Sequence, residues 1–350
     1  MTFHEDNQAY ESWLRGQCDV VEEDLDWKHR RMCCDAFSFL RATQFRWARR
    51  IGEICPELAG APAVLAVGDT HVENFGTWRD GDGRWVWGIN DFDDAAEMPY
   101  PWDLVRLAAS TRLAPGWSLG NREAAAAILE GYRDGLARPR PTLLDEDGEG
   151  LSKLAKFTRE DRHAFARSVE RARDAAPPPD VVRELAGSLP EGASLPSFRR
   201  WTKGLGSLGR PRYIAVAVWR GGRVVREAKA LVPPAWHWAQ GSNDPASRFD
   251  ELAGGPSRSP DPFLSVNGRW VCRRVAPDSR KLNLDEHAGA KLTARVLTAM
   301  GREIGSVHAA DADRASRVAA DLVERPEGWL HQAARAAANA VKDDFREWTE

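Results

Sequence analysis

The sequence predicts an α+β fold, on three observations. Helical patterns dominate residues 1 to about 175 and the chain from about 284 onward, two β-hairpin patterns fall between about 197 and 276, and a proline-rich stretch separates the first two blocks. In the first block the apolar run Ala63 to Val67 reads as a buried strand and Arg84 to Ile89 as a second, with acidic, polar loops after both. Asp103 to Leu113 is apolar at Leu104, Leu107, Ala108 and Leu113, near helical spacing, and should bury that face. Pro177, Pro178, Pro179, Pro190 and Pro196, with Gly187 and Gly192, mark residues 175 to 196 as a connector and the main boundary. Beyond it, YIAVAVW and VVREAKALV flank Gly221-Gly222, and FLSV and RWVCRRV flank Asn267-Gly268, two hairpin patterns in succession. Leu284 to Ala310 returns to helical spacing at Leu292, Val296, Met300, Ile304 and Val307, and the last forty residues read as helix.

Composition narrows the function. At 350 residues there is enough chain for one large or two medium domains with a substantial core. Forty-nine basic residues against 52 acidic give a net charge of −3, without the one-sided basic excess of a dedicated nucleic-acid binder. Five cysteines, an odd number without zinc-ligand spacing, read as reduced thiols and predict a cytoplasmic setting. The first twenty residues lack a basic start followed by an apolar block, and no apolar run is long enough to cross a bilayer, so secretion and membrane contact are not expected.

Four pieces of chemistry stand out. Gly68-Asp69-Thr70-His71-Val72-Glu73-Asn74-Phe75-Gly76 follows an apolar strand, and an Asp and an Asn five apart can converge on one site. In phosphoryl transfer a carboxylate orients or deprotonates the attacking hydroxyl while an amide oxygen ligates magnesium; the alternative is ordinary turn hydrogen bonding. A zinc-deaminase reading of His71-Val72-Glu73 lacks the downstream Pro-Cys-x-x-Cys it needs. Asn90-Asp91-Phe92-Asp93-Asp94 ends a second strand, where an acidic cluster suits magnesium, and the two strands are expected side by side in one small sheet. Gly204-Leu205-Gly206-Ser207-Leu208-Gly209 leads into a strand, a context that favours a phosphate-covering hairpin over a dinucleotide turn. Lys229 lies on the second strand of the following hairpin, where a lysine between apolar neighbours can reach phosphates under that loop.

Asp69 to Asn74 resembles the catalytic loop H-G-D-x-H-x-x-N of aminoglycoside phosphotransferases and choline-kinase-like enzymes. Asp91 is similar to their metal-binding Asp, and Asp103-Leu104 to a later helix start whose Asp braces the catalytic loop. The set GDTHVENFG, NDFD, PWDLVRLAAS, GLGSLGRPRY and EAKAL, with FSFLRAT at Phe37 to Thr43, also resembles a large bacterial family known only as a domain of unknown function. The glycine loop and lysine precede the catalytic loop in ordinary kinases but follow it here by about 130 residues, so the resemblance implies a circularly permuted, protein kinase-like two-lobe fold. Leu297 to His308 is similar to the helix ending in Leu-His that comes before that loop in aminoglycoside phosphotransferases. Val67 stands where the first His of the loop would be.

The implied domains are a metal-binding helical lobe over 1 to 190, a nucleotide-covering β lobe over 197 to 276, and C-terminal helices over 277 to 350 returning to the first. The implied activity is ATP-dependent, magnesium-assisted phosphoryl transfer to a hydroxyl of a small molecule, with a protein acceptor as the alternative. Asp69 is the expected base, and Asn74 and Asp91 the metal ligands. Lys229, with Glu251 as its partner, and Gly204, Gly206, Ser207 and Gly209 would hold the phosphates. Arg41, Arg273, Arg274 and Lys281 are candidate further cations. Trp85, Trp87, Trp102, Trp236 and Trp238 are aromatic candidates for an acceptor pocket. Nucleotidyl transfer from the same site, or nucleotide binding without turnover, are the competing readings.

Overall fold

Thr2 opens the first helix by accepting a hydrogen bond from the Glu5 N–H while the Glu5 carboxylate accepts one from the Thr2 N–H, so two donors at the helix start are satisfied reciprocally. The computed structural model describes residues 1–116, 119–146, 151–154, 158–242, 244, 246–279 and 290–350. Four helices come first: α1 (Phe3–Gln17), α2 (Glu22–Met32), α3 (Ala36–Ala42) and α4 (Gln44–Ile54). Next are β1 (Ala63–Ala66), β2 (Phe75–Arg79), β3 (Trp85–Ile89), β4 (Ala96–Pro99), α5 (Pro101–Leu113), α6 (Asn121–Ala137) and β5 (Thr142–Leu143). A third block holds α7 (Leu151–Leu154), α8 (Arg159–Glu170), β6 (Arg173–Asp174), α9 (Pro179–Gly187), β7 (Ser197–Arg200), β8 (Arg212–Trp219), β9 (Gly222–Ala230), α10 (Ala235–Ala239), α11 (Phe249–Ala253), β10 (Ser265–Asn267) and β11 (Trp270–Arg274). The chain closes with α12 (Ala290–His308), α13 (Ala312–Glu324) and α14 (Trp329–Thr349). The fold is mixed α+β, as the sequence predicts.

The strands form a six-stranded sheet in the order β10-β11-β9-β8-β7-β6, a three-stranded sheet β2-β3-β5 and the pair β1-β4. Every pairing among the described residues is antiparallel. Both hairpins exist. Between β8 and β9, Arg220 and Gly221 have φ of 47° and 80°, the double positive φ that a two-residue turn of the strand-matching hand requires. The reversal therefore sits one residue earlier than the Gly-Gly pair suggested, with Gly222 already paired to Trp219.

Three expectations are corrected. The two strands before the acidic loops are not neighbours: β1 pairs β4 and β3 pairs β2, because the loop after β1 runs directly into β2. Residues 175 to 196 are not simply a connector, since Pro179 serves as the first residue of α9, a position where its missing N–H costs nothing. Nor is that stretch a break in packing. β6 extends the large sheet, Val181 and Leu185 of α9 pack with Ala228 and Ala230 of β9, and Val169 of α8 packs with Ile214 and Val225. The block around the large sheet thus begins well before residue 197, and it also includes Leu14 and Cys18 from α1 and the turn after it. All five cysteines are free thiols. Among the described residues no helix is long and apolar enough to cross a membrane.

α5 is buried on every side from Pro101 to Thr111, beyond the single apolar face expected of it. Most of its polar groups consequently find protein partners, Asp103, Ser110 and Thr111 among them, while Trp102 Nε1 and Arg106 Nη1 have none among the described residues. α6 and α12 lie backbone to backbone. A Cβ added at Gly131 would come within 1.8 Å of Thr298 O, and one at Gly301 within 2.1 Å of Ile128 O, so only glycine permits this approach. Val296, Met300, Ile304 and Val307 of α12 are buried as predicted, and the close seam brings Glu303 and His308 into the interior.

Candidate functional site

The loop after β1 is held from beneath by α5. Gly68, at φ 85°, lies so close to the backbone of Asp94 that an added Cβ would meet its carbonyl oxygen at 2.1 Å, which pins the two acidic loops together. The fully buried Asp103 carboxylate accepts hydrogen bonds from Val67 N–H (2.8 Å) and Gly68 N–H (2.9 Å), and the Thr70 hydroxyl donates to the Asp103 carbonyl (2.6 Å). His308 Nε2 is 3.0 Å from Asp103 Oδ2, and its Nδ1 is 3.0 Å from the Tyr132 hydroxyl. His308 thus links the buried Asp103 carboxylate to the Tyr132 phenol. At position 67, where the resembling loop carries histidine, the valine side chain is in the core and the backbone does the holding.

Asp69 faces a cavity of about 460 Å³. Arg106, fully buried three residues beyond Asp103 on α5, donates from Nε to Asp69 Oδ1 at 2.8 Å and from Nη2 to the Leu40 carbonyl at 2.9 Å. Burial raises the Asp69 pKa above the ordinary carboxylate range; Arg106 opposes that and the charges of Asp94 and Asp91 add to it. His71 Nε2 lies 3.9 Å from Asp69 Oδ2, with its Nδ1 accepting the Glu73 N–H. Asn74 donates from Nδ2 to the Asp69 and Asp91 carbonyls, 3.1 Å each, which ties the loops and commits both amide protons. Its Oδ1 is left as the atom suited to a cation.

Asp91 and Asp93 share the ammonium of Lys229, each with Oδ2 at 2.7 Å from Nζ. Burial works against charge on Asp91, but Lys229, a hydrogen bond with Asp93 and Arg273 outweigh it and hold the carboxyl well below the usual range. Burial and the adjacent Asp91 charge push Asp93 up to about 7, against Lys229 and Arg210, whose Nη1 is 3.0 Å from Asp93 Oδ2. Lys229 itself is almost wholly covered by these partners and does not line the cavity. Glu251 is not its partner. That carboxylate is exposed on α11 and pairs with Arg248 three residues away. The buried glutamate of the large sheet is Glu227, which accepts from Arg212 and Arg273 at 2.8 Å each and is held well below the usual range by them despite its burial.

The glycine loop joins the paired strands β7 and β8, and Gly204, Gly206 and Ser207 line the cavity. A Cβ at Gly206 would stand 3.0 Å from Arg41 O and 3.7 Å from Asp69 Oδ2, so the loop crosses directly over the Asp69 carboxylate. The Ser207 hydroxyl accepts from Arg212 Nη2 at 2.9 Å. Gly209 turns away from the cavity to pack on Leu25. Arg41, Arg273 and Arg274 line the cavity, and Lys281 lies outside the described residues. None of the five candidate tryptophans does; Trp87 and Trp102 are core residues, and the indole that reaches the cavity wall is Trp78.

Sequence reasoning missed Arg106, Arg210 and Lys28, all on the cavity or directly behind it, and gave Asp93 no role beyond its place in the acidic cluster. It also missed a buried brace: Glu303 of α12 accepts the Ile89 N–H at 3.1 Å and pairs with Arg258, whose Nη2 donates to the Ile89 carbonyl at 2.8 Å. This pair fixes the end of β3 from which Asn90 to Asp94 departs. Among the described residues no group of three or more His, Cys, Asp or Glu side chains surrounds a common point. Asn74 with Asp91 therefore suits only an ion that completes its shell with water and substrate oxygens.

Residues 20–141 match the model of a family described as an uncharacterized protein conserved in bacteria, DUF2252. The matched span contains Asp69, Asn74, Asp91, Asp103 and Arg106 and stops short of the glycine loop and Lys229. No curated protein and no solved structure matches the chain.

Proposed function

We propose that the protein is an ATP-dependent phosphotransferase with a protein kinase-like, circularly permuted two-lobe arrangement, moving a phosphoryl group to a hydroxyl of a small acceptor. The observation that carries this reading is the meeting of three sequence-distant loops, 68 to 74, 90 to 94 and 204 to 207, on one cavity. Asp69, with a pKa raised by burial, suits a base that accepts the proton of the attacking hydroxyl, and Arg106 fixes its orientation. Asn74 Oδ1 and Asp91 would hold magnesium together with phosphate oxygens, and the ion would supply charge neutralisation there. Backbone groups of Gly204 to Ser207 and the cations Arg273 and Arg274 would face the phosphates. Ile89, Leu264 and Val275 offer an apolar wall of the kind a nucleobase needs. A cavity of about 460 Å³ favours a small acceptor over a folded one.

The test uses ATP labelled at either the γ or the α position, with Asp69→Asn and Asp91→Ala beside the native chain. Transfer of the γ label, lost in both variants, supports the proposal, and undiminished transfer in both ends it. Transfer of the α label instead establishes nucleotidyl transfer. One observation favours binding without turnover: Lys229 is sealed under two carboxylates. Thermal stabilisation by ATP with no labelled product across a panel of small hydroxyl compounds is the outcome that reading expects.

A further inference from the structure

The cavity has a second wall that the phosphotransfer reading leaves unused. It is formed by Tyr10 of α1, Lys28 of α2 and Gln44 and Phe45 of α4, which line the same cavity as Asp69 and the glycine loop. Lys28 is 3% exposed, and among the described residues its ammonium has no hydrogen-bond or ion-pair partner. A lysine so placed is costly unless something of opposite charge meets it. Glu11, Arg210, Asp94 and Asp69 are near enough for their charges to act on it, with none in an ion pair with it, and it lines the same cavity as the proposed base. Gln44 donates from Nε2 to the Gly68 carbonyl at 2.7 Å, and its buried Oε1 has no partner. A cation without an ion-pair partner and an acceptor without a donor thus line the cavity that also holds the carboxylate that would deprotonate a hydroxyl. Tyr10 and Phe45, stacked at 4.4 Å between ring centroids, give the same wall a rigid apolar floor.

We propose that this wall is the acceptor subsite and that it takes a small hydroxylated molecule bearing an anionic group, carboxylate or phosphate. Lys28 meets the charge and Gln44 Oε1 accepts a hydroxyl proton. The inference rests on the phosphotransfer reading for the word acceptor, but the anion preference stands on Lys28 and can be measured separately.

The experiment is calorimetric titration of the full chain with glycerol, glycerate and glycerol phosphate, in the presence of magnesium and a non-hydrolysable ATP analogue. The expected result is that at least one anion binds tenfold or more tightly than glycerol. Lys28→Met should bring it within about twofold of glycerol, and Lys28→Arg should restore most of the difference. Which anion gains more separates a carboxylate acceptor from a phosphorylated one. Native protein that binds the anions no better than glycerol, or a preference that survives in Lys28→Met, overturns the inference. If the ATP analogue fails to bind, the phosphotransfer reading has failed on its own. The same titrations without nucleotide then decide the anion site by the same two criteria.

Discussion

Replacing Lys28 by methionine should make the protein more stable at neutral pH. Burial, the leading cause, lowers the Lys28 pKa from 10.5 to about 8, against the raising influence of Glu11. At roughly 1.4 kcal/mol per pH unit, that shift means the folded state carries the charged lysine at a cost of about 3 kcal/mol. The sign follows from proton counts. Below pH 8 both folded and unfolded chains hold the proton and the full cost is present. Between about 8 and 10.5 the folded chain has released its proton while the unfolded chain keeps it, so the cost fades as pH rises. Methionine keeps the stem and removes the charge, and no hydrogen bond is lost with it. Urea unfolding of both proteins from pH 6.5 to 9.5 should show the variant ahead by about 3 kcal/mol at the acid end, with the lead falling to about half at the alkaline end. A variant less stable at pH 7, or a lead that does not shrink with pH, refutes the idea that the native chain keeps an unmatched ammonium there. Stability given up at one position for a ligand is the usual signature of a binding group.

Other perturbations test the frame around the cavity. Arg106→Met strands the Asp69 carboxylate and the Leu40 carbonyl and should cost about 3–5 kcal/mol in denaturant unfolding, with much of it recovered in the double variant carrying Asp69→Asn. A loss below about 1 kcal/mol would mean the pair is not buried as described. Gly135→Ala would set a methyl 2.0 Å from Arg302 O and should lower stability by about 1–3 kcal/mol or more, whereas Gly52→Ala on α4, with open space around it, should gain about 0.5–1 kcal/mol. Equal melting temperatures for the two variants would contradict the close α6–α12 seam. Asp93, raised to about 7, keeps in the folded state a proton that the unfolded chain releases near pH 4, so its contribution to stability is lost as pH rises from about 4 to 7. Asp93→Asn should flatten the fall in unfolding free energy over pH 5 to 7.5, and an unchanged slope counts against the assignment.

Much of the site was readable because its chemistry is written in short segments. Asp69, Asn74 and Asp91 lie in strand-end loops whose residue types can be picked out without knowledge of the fold, and the structure brings Gly206 close to Asp69. What could not be read depends on pairings across hundreds of residues. β1 meets β4 because the loop after β1 is consumed in reaching β2, a matter of geometry that local patterning does not carry. Glu251 was chosen by spacing, but an arginine three residues away on the same short helix claims it, and the carboxylates that reach Lys229 come from a loop 138 residues earlier. Lys28 sits in EEDLDWKHRR, a stretch that looks solvated from end to end, and only the packing of α1 and α4 shows it enclosed. Arg106 carried a signal, its three-residue offset from Asp103 on a helix, which places both on one face toward the loop.

The Asp103–His308 contact also bears on how the molecule is made. Almost every group lining the cavity has been translated by residue 279, yet the imidazole that completes the Asp103 bracket and the Glu303 carboxylate that clamps the end of β3 arrive only with α12. At about 5–20 residues per second, the nascent chain spends roughly 10–40 s with its acidic loops synthesised but without these braces. A fragment ending before α12 would own nearly the whole lining yet lack both the His308 and the Glu303 braces, so the arrival of α12, more than the emergence of any loop, completes the support of the cavity.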